Sequence, residues 1–210
     1  CLVLVCAFSV AFTGDGSVTA ATKLTKLVLG YANKANYEVS EISGLKQAEA
    51  LEYLDIQGMT KMNSVDLSNQ KYFKTLKAKG SGISSVSLAK GAPVETLELP
   101  SSMRVLSLEQ LPYLTNDNII FEDITSLTGM IVRSCPNVSN KFTFVYNWVN
   151  NKTTDDSKCS IVMDNVNWSG VKGSQLVRIA NIALKGGTVS LKGKVKLTEI
   201  TNAQGQTLVR

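Results

Sequence analysis

A short two-apolar phrase, returning at an almost constant interval, constrains this chain more than any other feature. Apolar residues separated by one position recur at Leu54 and Ile56, Val65 and Leu67, Leu76 and Ala78, Val86 and Leu88, Leu97 and Leu99, and Leu106 and Leu108. The first members lie 11, 11, 10, 11 and 9 residues apart. Residues i and i+2 of a strand share a face, so each phrase marks a short strand with both apolar members on the buried side. Gly58, Asn69, Gly80, Gly82, Pro93 and Pro100 punctuate the intervals as turn residues.

Such an interval is too short for a strand, a crossover helix and a return, so two successive phrases must share one coil, and both walls of that coil are β. The paired steps are 22, 21, 21 and 20 residues, within the range of leucine-rich repeats, whose coils stack because one alone cannot bury its apolar edge. An antiparallel meander would give a similar interval. The near-constant step, and the absence of Asn-Gly or Asp-Gly between these strands, favour the solenoid. Leu54, Leu76 and Leu97 should then stack in register, with neighbouring strands ~4.8 Å apart.

Farther along the period lengthens. Candidate strands at Ile131 and Val132, Ile161 to Met163, and Val189 to Leu191 are 30 and 28 residues apart, which leaves room for a helix in each coil. Phe142, Val145, Tyr146 and Val149 share one helical face, and Leu176, Ile179, Ala180 and Ala183 share another, ended by Gly186 and Gly187. Asn116 to Glu122 reads as a further strand or a packed loop. The stretch from Tyr31 to Glu52 is more helical toward its end, where Leu45, Ala48 and Leu51 share a face and Ser43 offers a cap. The fold class expected is therefore a β-rich, leucine-rich-repeat-like solenoid with parallel strands. Strand/strand coils occupy the middle, and strand/helix coils lie toward the C-terminus.

The segment CLVLVCAFSVAF, Cys1 to Phe12, is apolar for twelve residues, short of the ~20 a membrane helix needs. It has no basic leader, and Val5 before Cys6 does not fit a lipobox. Its β-branched and small residues suit one or two buried strands. The organisation expected is an N-terminal apolar strand segment over 1–30, open to belonging to a preceding domain, and a solenoid over 31–210. With Cys1 first and TNAQGQTLVR last, the chain reads as a piece of a longer polypeptide.

Chemistry is sparse. The 210 residues contain no histidine, which removes the commonest general base, the commonest zinc ligand and every His-dependent triad. Cys1, Cys6, Cys135 and Cys159 show no CxxC spacing and read best as buried thiols, with a disulfide framework left open. KGSGIS, Lys79 to Ser84, lacks the GxxxxGK[ST] of a phosphate loop. Gly14 to Gly16 and Thr153 to Ser157 are acidic loops without calcium-loop spacing. Glu95 with Glu98, and Glu122 with Asp123, read as solvated carboxylates, and Trp148 and Trp168 as amphipathic core residues. Asn137, Asn151 and Asn167 begin glycosylation triplets that matter only in a eukaryotic secretory context. No catalytic residue, cofactor or metal is expected.

Lys and Arg number 22 against 17 Asp and Glu, a net charge of +5. No basic stripe with interleaved aromatics accompanies it, so a nucleic-acid partner is not expected. The outward positions of the repeat are the better place to seek binding. One wall presents Tyr53, Asp55, Gln57, Thr75, Lys77, Lys79, Thr96 and Glu98, a mixed polar surface and the candidate interaction wall. The other presents Ser64, Asp66, Ser68, Ser85, Ser87, Ser107 and Glu109.

The phrases ETLELPSSMRVLSLEQLPYL, Glu95 to Leu114, and LTGMIVRSCPNV, Leu127 to Val138, resemble the irregular leucine-rich-repeat modules of gut Bacteroidetes and their tailed phages. The likeness is greatest to large virion proteins of crAss-like bacteriophages. CSIVMDNVNWSGV, Cys159 to Val171, and GGTVSLKGKVKLTEIT, Gly186 to Thr201, are similar to the strand-and-loop phrases that follow the repeats there. The resemblance covers roughly residues 50 to 200 and carries no active-site motif. It implies a non-enzymatic structural or receptor-facing role in a virion, associated with the tail, in multi-copy assembly with other virion proteins and able to meet a host surface receptor. Two other roles compete with it. One is a bacterial cell-surface adhesin or lipoprotein domain lipidated at Cys1, and the other is a carbohydrate-active β-solenoid enzyme working with carboxylates alone.

Overall fold

The computed structural model describes residues 22–30, 39–138, 155–164 and 180–192, with strand pieces at 11–12, 18–19, 200–201 and 207–209. Ala11–Phe12 (β1) and Val18–Thr19 (β2) pair antiparallel, as do Ile200–Thr201 (β14) and Thr207–Val209 (β15). The described strands between these two pairs form a parallel stack with two walls. Wall one consists of Lys26–Val28 (β3), Tyr53–Asp55 (β4), Thr75–Lys77 (β6), Thr96–Leu99 (β8) and Ile119–Phe121 (β10). Wall two consists of Ser64–Leu67 (β5), Ser85–Leu88 (β7), Val105–Glu109 (β9), Gly129–Arg133 (β11), Ser160–Asp164 (β12) and Thr188–Lys192 (β13).

From β4 to β11 successive strands alternate between the walls, and every pairing within a wall is parallel, which excludes the meander. The in-register stack of leucines is borne out: Leu27 lies opposite Leu54, Leu54 opposite Leu76, Leu76 opposite Leu97, and Leu97 opposite Ile119. On wall two the inward row runs Val65, Val86, Leu106, Met130, Ile161, Val189. The two rows face each other across the interior, and with their i+2 partners they form one continuous apolar core. Leu88 is its loosest repeat member, only partly buried against the cluster.

Wall two runs unbroken from β5 to β13 although the coil length grows, as the sequence led us to expect. The helix assigned to Phe142–Val149 lies outside the described residues, as do Leu176 and Ile179 of the next. Residues 180–184 are helical, and the end falls where the glycines put it. Gly187 N donates to Ile182 O and Gly186 N to Ala183 O, with Gly186 at φ 88°, a Schellman closure. The buried face is corrected, however. Ile182 is the buried residue of this turn, while Ala180 and Ala183 are exposed. A large branched side chain contributes more on burial than two methyl groups, and it decides the rotation of the helix.

Other expectations are refined. Residues 116–121 are both alternatives in series, a 3-10 turn over Asn116–Asn118 and then strand β10. The helical tendency before Glu52 shrinks to a 3-10 turn, Leu45–Gln47, preceded by Gly44 at φ 79° with no side-chain cap; Ser43 Oγ donates to Glu41 Oε1 instead. Leu45, Ala48 and Leu51 are all buried, and their spacing of three is the 3-10 period, not the α period. Because β3 already pairs with β4, the stack begins before residue 31, where the sequence suggested a boundary. Of the apolar start only β1 is described, and it lies in an antiparallel pair.

Coil spacing is enforced at the corners. A Cβ added to Gly82 would overlap the carbonyl oxygen of Thr60 in the coil beneath, and one on Gly30 would overlap the backbone of Gln57. The expected outcome of Gly82→Ala is a loss of stability of at least the ~1–3 kcal/mol typical of overpacking, although alanine is otherwise the better-ordered residue. Leu76→Ala, at the centre of the inward row, should cost ~2–5 kcal/mol. Urea denaturation of both variants, compared with the exposed-site control Lys61→Ala, checks the two values.

Candidate interaction wall

A parallel, in-register stack sets each side chain beside its equivalent in the next coil, so an outward row of one charge sign would repel itself. Wall one avoids this by alternation. Its outward rows run Lys26, Tyr53, Thr75, Thr96 and Val28, Asp55, Lys77, Glu98, Ile120, with Gln57 and Lys79 just beyond the strand ends. The structure therefore brings all eight candidate residues together on one face.

Five of them, Asp55, Gln57, Lys77, Lys79 and Glu98, engage one another. Glu98 sits between two ammonium groups, with Lys77 Nζ 3.7 Å from Oε1 and Lys79 Nζ 3.7 Å from Oε2. Lys26 Nζ lies 4.7 Å from the centre of the Tyr53 ring, a cation–π contact. Asp55 departs from the simple outward reading, being only 7% exposed. Gln57 closes over it, donating from its backbone N at 3.1 Å and from Nε2 at 3.2 and 3.0 Å to the two carboxylate oxygens. Burial, and then the charge of Asp55, push the Tyr53 hydroxyl above its ordinary pKa. At the strand entrances Lys74 Nζ meets Glu52 Oε2 at 2.7 Å, and this hydrogen bond raises the lysine's pKa.

Wall two is less charged along its middle and is clamped at its margins. Glu109 accepts from Lys90 Nζ at 2.6 Å and from Arg133 at 2.7 Å; the Lys90 hydrogen bond is the main cause of its lowered pKa. Asp66 accepts from Ser68 Oγ at 2.6 Å and Ser68 N at 3.1 Å, and pairs with Lys46 Nζ at 3.0 Å. The Ser68 hydroxyl first, and then Lys46, lower its pKa to about 2. These clamps escaped the sequence reading, which stopped at single outward positions. Their signal was opposite charge one coil apart, as in Glu52 and Lys74 or Glu109 and Arg133.

The remaining motifs resolve into turns. Within KGSGIS, Gly80 takes φ 69° and Gly82 abuts the coil beneath. Glu122 does more than meet solvent: its Oε2 accepts from Gly80 N at 3.1 Å and Ser101 N at 3.3 Å, bridging two coils. Asp123 accepts from Ile124 N, Thr125 N and Thr125 Oγ1, a local turn that lowers its pKa. Cys135 and Cys159 are buried thiols outside any disulfide; Cys1, Cys6, Trp148, Trp168, Asn151 and Asn167 lie outside the described residues. Asn137 is exposed and donates to Pro112 O at 2.6 Å. Among the described residues no cluster of three or more Cys, Asp or Glu side chains is placed to hold a metal ion, and no helix is long and apolar enough to cross a membrane.

No protein-family model, curated protein or solved structure matches this chain.

Asp66 gives a pH prediction. Its folded pKa of about 2 lies below the ordinary 3.8, so the stabilisation it supplies is present above pH 3.8 and is lost as pH falls toward 2. The group is partly exposed and its Lys46 pair is screened, so the effect should be under ~1 kcal/mol. Thermal melts of the native chain and Asp66→Asn should differ at pH 6 and converge near pH 2.

Proposed function

We propose that this chain is a non-enzymatic structural and protein-interaction module of a tailed-phage virion, associated with the tail and used in several copies. The observation that carries the interaction part is wall one, where charged and polar side chains from successive coils pair with each other along an in-register parallel ladder. Such a surface keeps its shape when a partner docks, so little ordering entropy opposes binding. Its charges alternate, which gives a partner a fixed register to match without a strong field of one sign. The absence of histidine from the sequence, and the lodging of the perturbed carboxylates in ion pairs and turns, support a role without catalysis.

The virion assignment rests on the resemblance of the phrases at Glu95–Leu114 and Leu127–Val138 to virion proteins of crAss-like bacteriophages. Partners would be other virion proteins, with a host surface receptor as a further one, and neither nucleic acid nor a membrane span enters this reading. Antibody raised against the chain should label phage tails in electron microscopy, and the antigen should co-sediment with intact particles. Labelling of bacterial cell surfaces in the absence of phage would overturn the virion reading in favour of a surface adhesin or lipoprotein domain.

Wall one can be tested within the same particles. Lys77→Glu sets a third carboxylate between Asp55 and Glu98. It should cost folding only ~0.5–1 kcal/mol, as cross-strand charge pairs do, while reducing incorporation into particles several-fold. Unchanged incorporation of the folded variant would show that wall one is not the contact surface.

A further inference from the structure

Strands β11 and β12 depart from the pattern of the earlier coils. In β5 and β8 each buried apolar residue is followed by an outward polar one, whereas Met130–Ile131–Val132 and Ile161–Val162–Met163 are apolar without interruption. Met130, Val132, Ile161 and Met163 are buried in the core. Ile131 and Val162 therefore stand on the outer face of wall two, side by side in register and only partly buried. Val105, 38% exposed, adds to this face from β9. Continuous apolar runs mark parallel strands that are covered on both faces. Two residues beyond Ile131 and Val162 runs a row of alternating charge: Glu109, Arg133 and Asp164 follow one another in register, and Lys192 takes the next place. Arg133 Nη1 turns to Glu109 Oε1 at 2.7 Å, and among the described residues no ion pair reaches Asp164.

We propose that the outer face of wall two from β9 to β13 is a twofold contact with a second copy of this chain, its axis running parallel to the strands between β11 and β12. This goes beyond the reading above: it gives the several copies a contact, and it stands on wall two, not on the virion assignment. The order of the charges selects the partner. A row of alternating sign, turned end for end, is its own complement, and that is the operation a twofold axis along the strands performs. It sets Arg133 against the second copy's Asp164 and Asp164 against the second copy's Arg133, and it brings Glu109 opposite the position of Lys192. At the centre Ile131 meets Val162 on both sides of the axis. An axis through a strand would instead set Arg133 on Arg133, so the charges fix the register as well as the partner. The guanidinium has further N–H donors beyond the one given to Glu109. Aligned packing is the ordinary way for two sheet faces to meet, and an apolar centre beside a charged margin is the ordinary anatomy of an interface. Four strands of this length make a small contact, below the ~800 Å² a side of a standard interface. The dimer should therefore be weak, with a Kd of about 100 µM, and held by avidity where several copies gather.

Sedimentation equilibrium of the full chain, from about 10 µM to about 1 mM, should show monomer and dimer in exchange. Arg133→Glu sets four carboxylates around the axis and Asp164→Lys sets four cations, so each variant alone should dimerise at least about tenfold more weakly. Mixed in equal amounts, the two should dimerise again, because each acidic pair then faces a basic pair. Ile131→Thr trims the apolar centre without touching a charge and should weaken the dimer several-fold, which keeps the test open if a charge variant fails to fold. A chain that stays monomeric at about 1 mM overturns the proposal. So does self-association that survives both charge changes, that the mixture fails to restore, or that Lys77→Glu on wall one abolishes instead. Dimerisation without particle association leaves the wall-two contact and removes the virion, and particle association of a strictly monomeric chain does the reverse.

Discussion

Every level of this structure depends on strands stacking in register, so that each residue has its own equivalent as nearest neighbour ~4.8 Å away. That condition rewards an apolar residue repeated at the same place in each coil, since the row buries itself as it grows. It penalises a repeated charge for the same reason. The inward rows from Leu27 to Ile119 and from Val65 to Val189 are the reward. The alternation of Asp55, Lys77 and Glu98 is the response to the penalty.

The same geometry explains what the sequence revealed. The L-x-L phrases carry two pieces of information, a period of two that means strand and a period near 21 that means coil, and both survive in the structure. Leu54, Leu76 and Leu97 could be aligned on paper because the turns between them are short and punctuated by glycine and proline. The Schellman end at Gly186 was equally legible, being set by local backbone chemistry. Rotation of the helix before it was not, because Ala180, Ala183 and Ile182 compete for one interior and only the neighbouring coil decides between them.

The candidate wall was legible as a set of positions and obscure as a set of interactions. Alternation says that Asp55 points away from the leucines, yet it does not say that Gln57 folds back to bury it. Charge clamps such as Lys90–Glu109–Arg133 join three coils, and they emerge only when residues about one coil apart are superimposed. The opening of wall two was hidden for another reason. Beside β5 the chain turns as the 3-10 segment Leu45–Gln47 instead of forming a strand, and its apolar spacing of three reads on paper as a longer helix.

Gly82 carries a consequence for how such a chain can drift over generations. Because a Cβ there would overlap the coil beneath, an insertion of even one residue between Met59 and Gly82 would slide a side-chain-bearing neighbour into that contact. Length is therefore frozen there by a single hydrogen atom's worth of room. Beyond β9 the steps from Leu106 to Met130, Ile161 and Val189 are longer and unequal, and the sheet continues regardless. Genetic change in size should accumulate in that half, leaving the tight coils as a ruler and the loose ones as the place where novelty enters.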